Sequence, residues 1–107
     1  MTVGKKAIHP GEVLKEEYLR PLGISANALA RAIHVTPARV NDIVLCRRGV
    51  TPDTALRLAR YFGGDAQQWL NLQLVYDLRL TEQSVLETIS TTIVPFKRGL
   101  SSNQRVA

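Results

Sequence analysis

The sequence predicts an all-α fold in which five helices form one domain and a helix or an extension follows at the C-terminus. Two observations predict this fold. Capping residues, two of them followed by proline, stand where helices would begin, at Ser25, Thr36, Thr51 and Asp65. Between these positions, apolar residues recur every three or four places, which is the spacing of an amphipathic helix and not of a strand.

The first predicted helix begins at the sequence HPGE, residues 9–12. Proline is tolerated at the first helical position because its missing N–H would have no partner there. Glu12 suits the positive end of the helix dipole, and Pro21 with Gly23 ends the helix. No residue with metal-ligand spacing follows His9, so we expect a capping or surface role for this side chain and neither a metal site nor a catalytic base.

Residues 25–45 are typical of two short helices around a tight turn. Ser25 caps the first of them, the chain turns near His34, and the Thr-Pro pair at 36–37 starts the second. Ala30 supplies the small side chain that is needed where two helices cross at a steep angle. The apolar residues on the inner sides of both helices are Leu29, Ile33, Val40 and Ile43. This segment therefore predicts a helix-turn-helix.

The loop CRRG at residues 46–49 joins the third predicted helix to a fourth, which starts after Thr51 and ends at Gly63. Cys46 is the single cysteine of the chain, so no internal disulfide is possible and a reducing compartment is expected. The neighbouring arginines would lower the pKa of a reactive thiol. A small residue that ends a helix is the favoured interpretation.

The fifth predicted helix, which begins after Asp65, is apolar on nearly every side. A helix at the surface of a monomer needs only one apolar stripe, so something more must cover the rest. Burial against a second subunit is favoured over cover by the chain's own C-terminal segment. The predicted contacts of this homodimer are Trp69, Leu72, Val75 and Tyr76.

Residues 81–96 follow the predicted domain of residues 9–80. Thr81 would cap a sixth helix there, whereas the β-branched residues near the end of the segment suit a strand equally well. A helix is favoured. The remaining predicted segments are a flexible basic lead at residues 1–8 and a disordered basic tail at residues 97–107.

The composition of the 107 residues favours a folded domain with an anionic partner. Hydrophobic residues make up 45% and charged residues 21%, and the net charge is +5. No apolar run approaches the about 18 residues that span a membrane. No apolar stretch follows the N-terminal lysines, as it would in a secretory signal. We therefore expect a cytoplasmic protein with no membrane partner.

The second helix of a helix-turn-helix lies in the DNA major groove when such a unit binds DNA. Arg39 is the principal candidate base reader, through a bidentate contact to guanine, while Asn41 would read adenine and Ala38 would touch a thymine methyl group. Asp42 would accept from cytosine or orient Arg39. Phosphate contacts are expected from Ser25, Asn27, Thr36, Arg47 and Arg48. The competing interpretation is structural, because any helical domain has solvated arginines and Arg39 would then only pair with Asp42.

The run from His9 to Arg79 resembles the HigA-type antitoxins of type II toxin–antitoxin modules, which belong to the Cro/cI-like, XRE-family helix-turn-helix proteins. The motifs HPGE-x-L, NALA, TP-x-R-x-N-x-I, RRG-x-T-x-DTALRLARYFG and WLNLQ-x-x-YDL carry the resemblance and occur in that order. It implies a five-helix, λ-repressor-like fold and a homodimer that binds a palindromic double-stranded DNA operator upstream of its own operon. It also implies a partner, a HigB or RelE-like ribonuclease toxin that the antitoxin neutralises.

At the level of residues, the family's operator-contacting helix falls on residues 36–44, which implies contacts from Thr36, Pro37, Ala38, Arg39 and Asn41. Its dimerisation helix falls on residues 69–78. Two positions depart from the family pattern. Ala26 stands where many relatives carry a glutamine that braces a phosphate contact, and His34 stands where a turn glycine is usual. A positive φ at His34 would be strained.

Two other functions stay open. The chain would be a stand-alone XRE-family transcriptional regulator if it has no toxin partner. It would be a protein-interaction inhibitor if its DNA function has decayed, an alternative that the apolar Pro37 and Ala38 keep open. An enzyme is not expected, because the sequence has no metal-ligand spacing, Ser/His/Asp set or glycine-rich phosphate loop. No cofactor or metal is expected either.

Overall fold

The computed structural model describes residues 7–97. Within this range the chain is all-α, with no strand, as the sequence predicts. The helices are α1 (residues 10–22), α2 (Ala26–Ile33), α3 (Pro37–Val44), α4 (Pro52–Phe62) and α5 (Ala66–Thr92). Helix α1 is α-helical over Pro10–Val13, π-helical over Leu14–Leu19 and α-helical again over Arg20–Leu22. The predicted lead up to residue 6, and the predicted tail from residue 98 onward, lie outside the described residues.

The predicted caps start four of these helices. The side chains of Ser25, Thr36, Thr51 and Asp65 each accept a hydrogen bond from the backbone N–H three residues further on, at 3.0, 3.2, 3.4 and 3.0 Å respectively. Such bonds satisfy N–H groups that have no partner within the first turn. At α1 the cap is His9, whose Nδ1 accepts from the Gly11 N–H at 2.8 Å. The capping role predicted for His9 is confirmed.

A single apolar core holds the helices together. It takes side chains from every helix; the largest that are fully buried are Leu14, Leu29, Val40, Ile43 and Leu58. Ala30, the small residue predicted at the crossing of α2 and α3, is completely buried. The core also draws the start of α1 against the end of α3, where Gly11 lies directly on the Ile43 carbonyl. Packing of α1 therefore sets where α3 lies in the domain.

Helix α5 is continuous through the predicted boundary between residues 80 and 81. Thr81 does not cap a new helix, because its hydroxyl donates to the Asp77 carbonyl within α5 at 2.8 Å. The separate sixth helix is therefore wrong, while the preference for helix over strand in this region is confirmed as far as Thr92. Among residues 7–97, no helix is both long enough and apolar enough to cross a membrane.

The turn of the helix-turn-helix is strained at His34. This residue has φ 61° and ψ 48°, the left-handed conformation that favours glycine. For a residue with a Cβ, that conformation costs about 1–2 kcal/mol. The His34 side chain is exposed, so little packing offsets the strain.

Glycine at position 34 is therefore expected to stabilise the fold. We expect His34→Gly to raise the free energy of unfolding by about 0.5–1 kcal/mol, because relief of the strain exceeds the extra entropy of glycine in the unfolded chain. Urea denaturation monitored by circular dichroism measures the change. His34→Ala is the control, since alanine keeps the strained Cβ. An equal gain from alanine would show that the backbone conformation is not the cause.

Candidate nucleic-acid interface

The N-terminal ends of α2 and α3 bring most of the predicted DNA contacts onto one surface. Asn41 links the two helices, since its Nδ2 donates to the Pro37 carbonyl at 2.9 Å and to Asn27 Oδ1 at 3.4 Å. The exposed residues at these two helix ends are Ser25, Asn27, Thr36, Pro37 and Ala38. Free N–H groups and hydroxyls at helix starts are good phosphate ligands. This surface is suited to bind a nucleic-acid backbone.

Arg39 does not pair with Asp42, which was the structural alternative for its role. Its Nη1 donates to Asp53 Oδ2 at 2.7 Å and to Thr54 Oγ1 at 3.3 Å, both in the first turn of α4. The side chain is 31% exposed. In the absence of DNA, the side chain of Arg39, the predicted base reader, is thus held against α4 through its Nη1.

Asp53 and Arg57 are polar residues of this region that the sequence analysis missed. The Asp53 carboxylate accepts hydrogen bonds from both Arg39 and Arg57. These bonds hold the pKa of Asp53 below its ordinary value, and the bond from Arg39 has the larger effect. Arg57 also donates to the backbone carbonyl of Ile33 at 2.8 Å, at the end of α2. The one available signal was the spacing of Asp53 and Arg57, which puts them four apart on one helix face.

The loop after α3 carries the two predicted phosphate-binding arginines, and both are exposed. Arg47 forms an ion pair with Asp42 at 2.9 Å, and Arg48 lies beside it in the chain. The loop is anchored on α5, where Gln73 Oε1 accepts from the Val50 N–H at 2.7 Å. Helix α5, which carries the predicted dimer contacts, is therefore in direct contact with the loop that carries the predicted phosphate contacts.

Cys46 lies in this loop with φ 62°, just past the end of α3. Partial burial, together with the charge of Glu12, raises the pKa of its thiol above the ordinary value. A raised pKa leaves less thiolate at neutral pH. The structure therefore favours the interpretation of Cys46 as a small residue that ends a helix.

The predicted dimer contacts need correction. Trp69 is only 4% exposed and stacks at 5.3 Å on Tyr18 of its own chain, so it has no surface to offer a partner. Leu72 and Tyr76 are half-buried on the same side of α5. Of the four residues, Val75 alone is exposed, at 46%. Packing against the domain's own core thus explains part of the apolar pattern around α5.

The other side of α5 carries exposed apolar residues. At about 100° per residue, they share one side of the helix, opposite Trp69 and Tyr76. We call this set the outer stripe; its members are Leu74, Leu78, Val85 and Ile89. Beyond Leu80 every residue of the helix is exposed in the single chain. The outer stripe is the part of α5 that is free to meet a second subunit.

His9 couples the start of α1 to α5. Its ring meets the Tyr76 ring edge-on, with 4.7 Å between the centroids, and its Nδ1 must be unprotonated to accept from the Gly11 N–H. Burial lowers the pKa of His9, and the charges of Asp77 and Glu12 oppose that shift in part. The folded protein therefore favours neutral His9.

Stability is expected to fall on acidification because of His9. Below the ordinary histidine value of 6.5, the unfolded chain takes up a proton that the folded chain does not. The free energy of unfolding then decreases by at most about 1.4 kcal/mol per pH unit until the lower pKa of the folded state is reached. Urea denaturation between about pH 7.5 and 5.5 brackets the onset. His9→Asn keeps a capping acceptor without titrating there; a wild-type pH dependence no steeper than that of this variant would contradict the assignment.

Two capped short helices around a tight turn, with a polar N-terminal surface, define a helix-turn-helix DNA-binding protein. The helix-turn-helix family model matches residues 14–69, more than half of the chain, and the chain belongs to this family. Within the family, its structural neighbours are HigA and GraA antitoxins, which confirms the resemblance seen in the sequence motifs. The family is a class of DNA-binding antitoxins and regulators rather than of enzymes.

Individual relatives cover most of the chain. The "Virulence-associated protein I" of Dichelobacter nodosus is 68% identical over 72% of this chain and 71% of its own length. Antitoxin HigA-1 of Vibrio cholerae is 37% identical over 69% of this chain and 70% of its own length. The structure of the Pseudomonas aeruginosa antitoxin HigA with the higBA promoter matches with a TM-score of 0.84 at 44% identity, covering 86% of this chain and all 100% of that one.

Antitoxin GraA in complex with its operator matches with a TM-score of 0.83 at 41% identity, covering 92% of this chain and 99% of that one. At these identities the likeness extends beyond the fold to the sequence. The structure is therefore that of a λ-repressor-like DNA-binding domain with a long C-terminal helix.

Proposed function

We propose that this protein is a homodimeric antitoxin that binds a palindromic operator through α2 and α3, represses its own operon and neutralises a HigB or RelE-like ribonuclease toxin. The observation that carries the DNA part is the exposed polar surface formed by the starts of α2 and α3. It joins two helix N-termini, with the Arg47 and Arg48 loop at the other end of α3. Two related antitoxins were solved with promoter or operator DNA.

The outer stripe supports the homodimer. Several exposed large apolar residues on one side of one helix are costly in water, and a two-fold contact of this side with its copy would bury both sets. A dimer would carry two reading surfaces, which is what a palindromic operator requires. Their recognition helices would lie roughly 34 Å apart, about one DNA turn.

The toxin partnership rests on the naming of the relatives as antitoxins. A second candidate is a stand-alone transcriptional regulator, because YbaQ of Escherichia coli, described as an HTH-type transcriptional regulator, is 37% identical over 76% of this chain. Co-expression with the reading frame next to this gene separates the two. Rescue of growth from a toxic neighbour, with co-purification of both chains, supports the antitoxin. A harmless neighbour that does not bind supports the regulator.

Arg39→Ala is expected to weaken binding to the DNA directly upstream of the gene by about 1–3 kcal/mol, because a bidentate base contact is lost. The loss should be specific to that sequence. Fluorescence anisotropy with the upstream duplex and with a scrambled duplex of the same composition measures both affinities. Unchanged affinity for the upstream duplex would contradict the role of Arg39 as base reader.

Arg47→Ala is the matched comparison, since it removes the same charge from the loop that follows α3. A phosphate contact carries no sequence information, so this variant should weaken both duplexes alike and reduce the dependence of affinity on salt. A wild-type chain that binds the two duplexes equally would contradict sequence-specific binding altogether. A protein-interaction inhibitor without DNA function would give that result.

A further inference from the structure

A chain of polar contacts connects the turn of the helix-turn-helix to its recognition helix through α4. Arg57 donates to the Ile33 and His34 carbonyls at the turn, at 2.8 and 3.3 Å. Its Nε donates to Asp53 Oδ2 at 3.0 Å, and the same oxygen accepts from Arg39 Nη1 at 2.7 Å. Arg57 therefore holds the Asp53 carboxylate in place, and this carboxylate in turn holds the Arg39 side chain.

This arrangement leaves the reading capacity of Arg39 intact. A guanidinium has five N–H donors in a rigid plane. Within residues 7–97, the hydrogen bonds of Arg39 to other side chains use Nη1 alone, toward Asp53 and Thr54. Its Nη2 and Nε remain for a planar acceptor pair such as N7 and O6 of guanine. Asp53 thus sets the plane of the guanidinium without occupying the nitrogens that would read a base.

Resting on the function proposed above, we propose that Asp53 is a positioning residue that determines sequence specificity by holding Arg39 in its base-reading orientation. A free arginine side chain loses rotamer entropy when it is immobilised. In this protein the hydrogen bonds to Asp53 and Thr54 move part of that loss from DNA binding to folding. A guanidinium held in one orientation also fits one base edge and clashes with others, whereas a mobile arginine adapts to a phosphate or to any base.

The charge of Asp53 has the opposite effect on overall affinity. A carboxylate beside the DNA-binding surface repels phosphates, so its removal strengthens binding to any sequence. Orientation and repulsion therefore predict different results. Loss of orientation lowers the ratio of the affinity for the upstream duplex to that for a scrambled duplex. Loss of repulsion alone raises both affinities and leaves the ratio unchanged.

The test measures this ratio by fluorescence anisotropy for wild type, Asp53→Asn and Glu16→Gln. Glu16→Gln is the matched control, because it removes the same charge from an exposed carboxylate that pairs with Arg20 and not with Arg39. We expect Asp53→Asn to lower the ratio about tenfold, within the range of one bidentate base contact. Glu16→Gln should leave it unchanged. An unchanged ratio in Asp53→Asn overturns the proposal.

A second measurement separates positioning from general damage to the fold. In an Arg39→Ala background, Asp53→Asn should cause no further loss of the ratio, because Asp53 acts through Arg39. A further tenfold loss in that background overturns the proposal and assigns Asp53 a purely structural role. If wild type prefers the upstream duplex and Asp53→Asn prefers it equally, only this inference fails. A wild-type chain without any preference contradicts the proposed function as well.

Discussion

Replacing Leu78 and Ile89 together by glutamate is expected to turn the proposed dimer into monomers and to lower affinity for the upstream DNA by about two to four orders of magnitude. Both residues lie on the outer stripe and are 54% and 42% exposed in the single chain. Glutamates would replace apolar contacts at the interface by like charges in an apolar environment, which is strongly unfavourable. The loss of DNA affinity follows because each reading surface then binds its half-site without the effective concentration that linkage provides.

Size-exclusion chromatography with light scattering measures the oligomeric state, and anisotropy measures the affinity for DNA. The monomer is also expected to lose part of its helical circular dichroism signal. Residues 81–92 of α5 have no cover in the single chain, and an isolated helix of that length is marginal in water. The core around Trp69 does not involve the outer stripe, so the domain itself should remain folded.

The matched control places glutamates on the other side of the same helix, at Gln83 and Thr91. These residues are exposed and fall outside the outer stripe. The Gln83→Glu, Thr91→Glu variant should remain dimeric and bind DNA like wild type, apart from a small uniform loss from the added charge. A Leu78→Glu, Ile89→Glu variant that stays dimeric would refute the outer stripe as the interface.

Gly11→Ala is expected to destabilise the fold by on the order of 3 kcal/mol. Gly11 is buried in the first turn of α1, and a Cβ there would overlap the carbonyl oxygen of Ile43 and come within 2.8 Å of its carbonyl carbon. Alanine otherwise stabilises a helix by about 1 kcal/mol relative to glycine. A loss of stability in Gly11→Ala would therefore result from the close approach of α1 to α3. The Ile43 carbonyl lies in the last turn of α3, where it accepts from the Cys46 N–H, and the Ile43 side chain is buried. We therefore expect α1 to shift away from α3 and open the core.

Urea denaturation gives the free energy of unfolding for this variant. Gly49→Ala is the comparison, because the atoms nearest to a Cβ there belong to the side-chain amide of Gln73. This side chain can shift at the cost of its hydrogen bond to the Val50 N–H, so we expect a smaller loss. If Gly11→Ala is as stable as wild type, the helices do not approach as closely as the structure describes. A DNA affinity that falls together with stability would further link the position of α1 to that of α3.

Features that depend on neighbours in sequence were predictable. A cap is a contact between a side chain and an N–H three residues away, so Ser25, Thr36, Thr51 and Asp65 announce the helices that follow them. The left-handed conformation of His34 was indicated only by the family resemblance, in which glycine is usual at this turn. The starts of these four helices follow from such local terms, whereas the predicted boundary between residues 80 and 81 was wrong.

Features that depend on packing between helices were not. Helical spacing shows that α5 is apolar all round, but only the packed domain decides that Trp69 faces its own core while Leu78 faces outward. The sequence offered Asp42, three residues away, as a partner for Arg39, whereas the structure pairs Arg39 with Asp53, fourteen residues away on another helix.

The sequence by itself thus determined where the helices of the domain begin and which residues cap them, because short-range hydrogen bonds and apolar periodicity depend on neighbouring residues. The class of protein followed from the resemblance of its ordered motifs to a known family. The tertiary structure alone decided which face of α5 remains for a partner and which carboxylate holds Arg39. Both depend on where α4 and α5 come to lie against the helix-turn-helix. That placement results from burial of the whole core, and no single stretch of residues specifies it.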